Sequence, residues 1–316
     1  MIPKRIFYVW GAGEPKKRDV NVCIQTWRQI MPDYEIIELN QDDKRYFDYE
    51  KECLENKWFS AVYEHKLWAF IADYIRIKVL YDHGGVYMDT DASALRTLDD
   101  LLDNPAFVGF RNKEQNSDFN YVEPAILAAQ KGNPFLKEVL DFYAGKSEQN
   151  IWNMPIYVIN HIFKHIMDKD YKINEYPDRE HQKPIKLSDI TVYPETYFCP
   201  LSIPGEFFPE CLTKDSRTIH WWGSSWHNSA TLFFMNNKHK LPLDELNKMM
   251  KFNPRIIFLF GWIPIGAVLN KNGNTIVSLF GLSIIQFNTK KTRKGMKNRI
   301  NLFGLIPIIK VRTKNV

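Results

Sequence analysis

The stretch AFIADYIRIKVLYDHGGVYMDTD, residues 69–91, decides how this chain is read. Phe70, Ile71, Tyr74, Ile75 and Val79 follow Leu67 at helical spacing, which predicts one helix over residues 60–83. Its other side holds Ala69, Ala72, Ile77 and Leu80, so it is apolar nearly all round and expected to be buried. Asp73 and Arg76, three apart, are neighbours on that second side. Two readings fit them equally: an internal ion pair that fixes the helix, or side chains facing a polar pocket. An unpaired buried charge is too costly for a third. Gly84 and Gly85 then end the helix, VYM forms a short strand, and Asp89-Thr90-Asp91 falls at its carboxyl end. That is where open α/β sheets bind ligands.

Working outward, KRIFYVW predicts a first strand over Lys4–Trp10, closed by Gly11 and Gly13. RDVNVCIQTWRQIM predicts a helix with Val22, Trp27 and Ile30 on its apolar face, stopped by Pro32. YEIIELN predicts a second strand, completing a βαβ unit of a parallel sheet. Further on, NPFLKEVLDFY is an amphipathic helix with proline at its start, and SDITVYPETYFCPLS a strand running into an irregular segment. TIHWWGSSWH is a short strand leading into a turn flanked by tryptophans.

With 316 residues, 45% hydrophobic and 25% charged, the chain has the composition of a globular protein able to bury a full core. Its four cysteines are far apart, which argues against a zinc cluster or a disulfide scaffold. The opening MIPKRIFYVW lacks the apolar run and cleavage site of a signal peptide, so a cytoplasmic setting is expected. The net charge of +5 conceals a division: residues 246–316 hold 13 of the 42 Lys and Arg and none of the 37 Asp and Glu. Residues 1–245 therefore carry 29 basic and 37 acidic side chains, a net of −8. An acidic body (1–245) and a basic, apolar extension (246–316) are expected to have different partners. The extension repeats itself: LFGWIPI at 259–265 recurs as LFGLIPI at 302–308, with a weaker LFGLSII from 279, and Asn272-Gly273 is a hairpin signal. It is expected to be β-rich, and either a membrane-surface anchor or a packed subdomain. Its aliphatic residues and missing stacking aromatics favour an anionic membrane surface over nucleic acid.

Two carboxylates spaced D-x-D at a strand end offer hard oxygen ligands to Mg²⁺ or Mn²⁺, which can in turn neutralise a diphosphate. The tripeptide alone is weak evidence; the preceding buried helix with Asp and Arg, the glycine pair and Tyr87 make it specific. The block at 69–91 resembles the DXD-containing sugar-binding region of glycosyltransferase family 32, which includes bacterial polysaccharide transferases and fungal mannosyltransferases and is similar to glucosylating toxin domains. IPKRIFYVWGAG resembles that family's first strand, and HWWGSSW its C-terminal H-W-x-x-S-W segment. The resemblance covers roughly residues 1–230 and implies a GT-A fold, a divalent metal (Mn²⁺ or Mg²⁺), a UDP- or GDP-sugar donor and retention of configuration. It implies that Asp91 binds the metal, that Asp89 contacts the ribose and the metal's water, and that Asp73 and Arg76 hold sugar hydroxyls and phosphate. Trp10 would stack on the base, and Ser224 with Trp226 would close over the diphosphate; strand alternation puts Tyr87 on the face of Asp89, with a core tyrosine as the alternative reading of the residue alone. For Trp10 a core position is an equal alternative. His220 either completes the metal shell or is a hydrogen-bonded strand histidine. Glu123 is read as a solvated loop glutamate rather than a sugar contact.

The function expected is hexose transfer to a saccharide or lipid-linked acceptor in surface polysaccharide or lipopolysaccharide synthesis, at the inner face of the cell membrane. Two rivals stand beside it. VYMDTDAS also resembles the start of a haloacid-dehalogenase phosphatase motif, although Ser93 stands where Thr or Val is usual. A non-catalytic sugar- or membrane-binding module on a degenerate transferase fold is the other.

Overall fold

A computed structural model describes residues 1–223 apart from 12, 112–121, 148–149, 151–157, 172–182 and 202–208, and beyond 223 the six strands named below. The backbone divides into two compact units, Met1–Ser224 and Ser225–Val316, whereas the charge division falls at 245/246.

The first unit is α/β, as expected. Strand β1 (Arg5–Val9) runs into α1 (Arg18–Ile30) and β2 (Glu35–Leu39), and β1 pairs β2 in parallel. The first helix ends before Pro32, but its buried face is Val20, Cys23, Ile24 and Trp27. Val22 and Ile30, assigned to that face from the sequence, are exposed. The 3.6-residue period admits either stripe, and Trp27, the largest residue, selects the buried one.

Next come α2 (Tyr49–Glu55), α3 (Lys57–Glu64) and α4 (Trp68–His83). The single helix expected over 60–83 is thus two. Asn56 caps α3 by accepting the Phe59 N–H, and Lys66 breaks the run with φ of 54°. Helix α4 is buried on most sides, and both glycines after it are obligatory. Gly84 has φ of 69°, and a Cβ there would lie 2.8 Å from the Lys131 nitrogen. Gly85 has φ of 134°, and a Cβ there would lie 2.6 Å from Arg5 Cγ. The backbone of β3 (Gly85–Met88) therefore packs directly against β1.

Strands β4 (Ala92–Ala94), β5 (Ala106–Phe110) and β6 (Val122–Ala129) follow, then α5 (Pro134–Tyr143), capped by Asn133, and α6 (Val158–Asp170). Strands β7 (Ile185–Lys186) and β8 (Thr191–Tyr193), the short helix α7 (Glu195–Phe198) and β9 (Thr218–His220) complete the unit. The main sheet has the order β2-β1-β3-β6-β5-β8-β7. It is mixed, because β6 runs antiparallel to both β3 and β5. Consequently the start of β6 lies at the same sheet edge as the ends of β1 and β3. Trp27, Tyr8, Met88, Ile126 and Phe198 are among the buried residues of one core. None of the four cysteines forms a disulfide.

The second unit is a six-stranded antiparallel meander: β10 (Arg255–Leu259), β11 (Ile263–Lys271), β12 (Asn274–Leu279), β13 (Leu282–Thr292), β14 (Gly295–Leu302) and β15 (Ile306–Thr313). Each Leu-Phe-Gly copy begins on the last residue of an even strand, Leu259, Leu279 or Leu302. One or two residues before each comes a register shift, at Ile257/Phe258, Val277/Ser278 and Ile300/Asn301. The sequence repeat is a structural repeat. Asn272-Gly273 separates β11 from β12 but itself lies outside the described residues. No described helix is long and apolar enough to cross a membrane.

Candidate metal and nucleotide-sugar site

Asp89 directly follows β3, and its N–H donates to the Ala125 carbonyl of β6 at 2.8 Å. Asp91 directly precedes β4, which pairs with β9 so that Ala92 lies opposite His220. This pairing joins residues 128 apart in sequence. The Trp221 N–H donates to the Asp91 carbonyl at 2.9 Å, and the Gly223 N–H to Asp91 Oδ2 at 2.7 Å. A Cβ on Gly223 would sit 3.3 Å from Asp91 Oδ2, so glycine gives this clamp its room. From the other side α1 holds β4: Trp27 Nε1 donates to the Ala92 carbonyl at 2.7 Å, and the Ala94 N–H donates to Thr26 Oγ1 at 2.9 Å.

Asp89, Asp91 and His220 thereby place one ligand atom each within 4.8 Å of one another. Two carboxylates and an imidazole suit a hard-to-borderline divalent ion, with Mn²⁺ accepting the nitrogen more readily than Mg²⁺. The buried Nδ1 of His220 meets no hydrogen-bond partner among the described residues, while Nε2 lies 3.2 Å from Asp91 Oδ1. The set fits such an ion. Burial raises the Asp91 pKa, but the His220 charge and hydrogen bond and the Gly223 N–H outweigh it and leave a net lowering. For His220 burial opposes the charge, yet Asp91 raises its pKa well above the ordinary value. Each group thus favours the charged form of the other, and a metal ligating His220 competes with a proton for the ring nitrogen.

Arg76 is the hub of the polar floor. Its guanidinium contacts Asp73 Oδ1 at 3.1 Å and Asp89 Oδ1 at 3.2 Å, and donates to the Pro124 carbonyl at 2.7 Å. It lies 4.6 Å from the ring centre of Tyr87, which is buried on β3. The two open readings of Asp73 and Arg76 merge here: they are paired, and they border the acidic cluster. Burial pushes Asp73 up to about 7 despite the Arg76 charge, and Asp89 up to about 6. Two carboxylates and one arginine leave an uncompensated acid, and proton uptake or a cation corrects that.

Glu123, read from sequence as a solvated loop residue, is instead buried on β6 and lies 3.6 Å from Arg111. The cause is an irregularity: β5 residues Val108 and Gly109 pair with Leu127 and Glu123, so three β6 residues have no counterpart on β5. Two of those three, Pro124 and Ala125, supply the carbonyls that Arg76 and Asp89 use. Bulges of this kind re-aim side chains next to sites. Arg111 also lies 4.8 Å from the ring of Trp222, which packs 4.1 Å from the His220 ring and has a φ of 56°. Such strain in a non-glycine residue persists only where the surroundings enforce it. A lone carboxylate opening the apolar run VEPAILAA was the sequence signal for Glu123.

The structure thus brings Asp73, Arg76, Tyr87, Asp89, Asp91 and His220 together. Trp10 directly follows β1 at the same sheet edge, partly buried, with Nε1 donating to the Glu14 carbonyl at 2.8 Å. Ser224 and Trp226 lie outside the described residues.

Residues 17–108 match the family model described as the glycosyltransferase sugar-binding region containing the DXD motif. The chain is 24% identical over 284 residues to inositol phosphoceramide mannosyltransferase 3 of Schizosaccharomyces pombe, covering 88% of this chain and 70% of that one. Among solved structures, the PaToxG glycosyltransferase is similar at 16% identity and a TM-score of 0.42, over 54% of this chain and 70% of that chain. A glycosyltransferase involved in glycosylation of the major capsid of PBCV-1 is similar at 11% identity and a TM-score of 0.38, over 79% and 99%. With Asp73, Arg76, Asp89 and Asp91 all inside the matched segment, the phosphatase alternative is set aside. Residues 17–108 thus carry the DXD-containing sugar-binding region of glycosyltransferases, and that segment with the likeness to the mannosyltransferase supports a glycosyltransferase enzyme.

Proposed function

We propose that the protein is a metal-dependent, retaining hexosyltransferase that takes its sugar from a UDP- or GDP-sugar. The observation that carries this reading is the convergence of Asp89, Asp91 and His220 within 4.8 Å, beside the Arg76 hub. A divalent ion bound there would supply neutralisation of the charge that develops on the departing nucleoside diphosphate.

The chain's own residues do the rest. Asp91, fixed by Gly223 and by the Trp221 N–H, presents its carboxylate without needing to reorganise, which is what makes electrostatic stabilisation effective. Arg76 orients Asp89 and Asp73, and sugar hydroxyls are the expected partners of those carboxylates. Trp10 is assigned the nucleotide base, and Ser224 with Trp226 the role of excluding water over the diphosphate. Glu123 and Arg111 border the same floor and add a second charged wall.

The acceptor is proposed to be a saccharide or a lipid-linked saccharide at the inner face of the cell membrane, in surface polysaccharide assembly. The Schizosaccharomyces pombe relative is named for inositol phosphoceramide, which supports a lipid-borne acceptor. The basic extension is proposed to bring the catalytic unit to that membrane. The test is metal-dependent hydrolysis across a panel of UDP- and GDP-sugars by the purified chain. One donor cleaved with Mn²⁺ or Mg²⁺ and not with chelator is the expected result; no metal-dependent cleavage of any donor contradicts it.

A further inference from the structure

Strands β13, β14 and β15 carry a charge arrangement that the transfer reaction does not use. Lys290 pairs with Lys297, and Lys297 pairs with Arg312, so three cations stand side by side across three strands. Two residues along, Asn288 pairs with Arg299 and Arg299 with Lys310. Residues directly opposite share a face, as do residues two apart along a strand. Lys290, Lys297, Arg299, Lys310 and Arg312 therefore occupy one face. The intervening row, Thr289, Asn298 and Val311, and the next, Phe287, Ile300 and Ile309, belong to the other face.

The patch is dense. Strand spacing is about 4.8 Å and same-face residues lie about 7 Å apart along a strand, so the backbone positions of five Lys and Arg fall in an area roughly 10 Å by 7 Å. Like charges directly opposite one another oppose pairing. Residues 246–316 contain no Asp or Glu to offset them, and nine of their 13 Lys and Arg lie between 290 and 314.

We propose that this face of β13–β15 seats on an anionic lipid bilayer, with headgroup phosphates and carboxylates between the opposed cations. The proposal rests on the reading of the extension as the membrane-facing part, and adds which face is used and that its partner is anionic. No aromatic residue stands among the face positions at 288, 290, 297, 299, 310 and 312, so the base-stacking platform of single-stranded nucleic acid binders is missing. Five Lys and Arg positions on one face of a sheet match a planar array of anions.

The experiment uses the full chain and vesicles of phosphatidylcholine with and without phosphatidylserine. Lys290→Gln, Lys297→Gln and Arg312→Gln together are compared with Arg255→Gln, Lys271→Gln and Lys291→Gln, which remove the same charge outside that cluster. The face variant is expected to lose about a hundredfold in affinity for the anionic vesicles, at about a fivefold loss per cation, and the control less than about tenfold. Metal-dependent donor hydrolysis should be unchanged in both, and far-ultraviolet circular dichroism of the full chain reports whether the strands of the extension stay folded. Should the triple variant misfold, Lys297→Gln alone is expected to lose about fivefold. Equal losses in the two variants would overturn the face assignment while leaving membrane binding standing. Equal binding to neutral vesicles, or tighter binding to oligonucleotides than to anionic vesicles, would overturn the anionic-bilayer partner. Wild-type chain that binds no vesicle would remove the membrane reading itself, independently of whether it cleaves a donor.

Discussion

In the N-terminal unit, strand β6 leaves register with β5 once, and the displaced residues feed Arg76 and Asp89. In the C-terminal unit the ladder leaves register three times, each time just before a Leu-Phe-Gly copy. Among the described residues, the first irregularity feeds a site, whereas the others recur with the Leu-Phe-Gly repeat. The charges differ in the same way. Around Arg76 opposite signs are interlocked by named contacts, whereas on β13–β15 like signs are ranked in rows. One arrangement is internally compensated apart from one acid; the other has no Asp or Glu within residues 246–316 to offset it.

The sharpest break in this contrast is Asp91→Asn. We expect a loss of at least about a thousandfold in turnover, because a preorganised charge at the leaving group is removed. Thermal unfolding should shift by a few degrees at most, since the backbone contacts of residue 91 survive and His220 can shed the proton that the Asp91 charge favours. Asp89→Asn should behave alike. Arg76→Met attacks the compensation itself, and leaving Asp73 and Asp89 unpaired should cost about 3–5 kcal/mol in a denaturant titration. Gly85→Ala, which must shift Arg5 or strain a φ of 134°, should cost about 1–3 kcal/mol by the same measurement.

A pH series separates the two units further. Burial places the folded Asp73 and Asp89 at about 7 and about 6, above the ordinary value of 3.8. Between roughly pH 4 and 7 the folded, metal-free chain holds protons that the unfolded chain has released. Its stability should therefore fall as pH rises through that window and level off above it. Asp73→Asn should flatten the fall. The smallest catalytic effect belongs to truncation after Asp244: donor hydrolysis should stay within about threefold, because the site residues belong to a unit with its own core, while vesicle binding is lost.

Much of the N-terminal unit was legible because its signals are local. The β1–α1–β2 unit, the glycine pair and the D-x-D at the end of β3 are all read from neighbouring residues. What escaped depends on distance or on choice between equal local patterns. The break at Lys66 adds a positive φ inside an otherwise continuous apolar pattern. The stripe of α1 turned on where Trp27 fits, not on periodicity. The pairing of β4 with β9, which sets His220 beside Asp91, spans more than a hundred residues and leaves no mark in either segment. Glu123 was misassigned because its burial comes from the β6 register shift. In the C-terminal unit the repeat and the charge bias were visible at once, but the alignment of Lys290, Lys297 and Arg312 needed the register.

The central claim is that Asp89, Asp91 and His220 hold a catalytic divalent ion. Electron paramagnetic resonance of Mn²⁺ titrated into the chain with UDP or GDP present tests it most directly. We expect one bound ion per chain in the wild type, lost in Asp91→Asn and weakened in His220→Ala. An undiminished Mn²⁺ signal together with undiminished Mn²⁺-dependent donor cleavage in Asp91→Asn would contradict it.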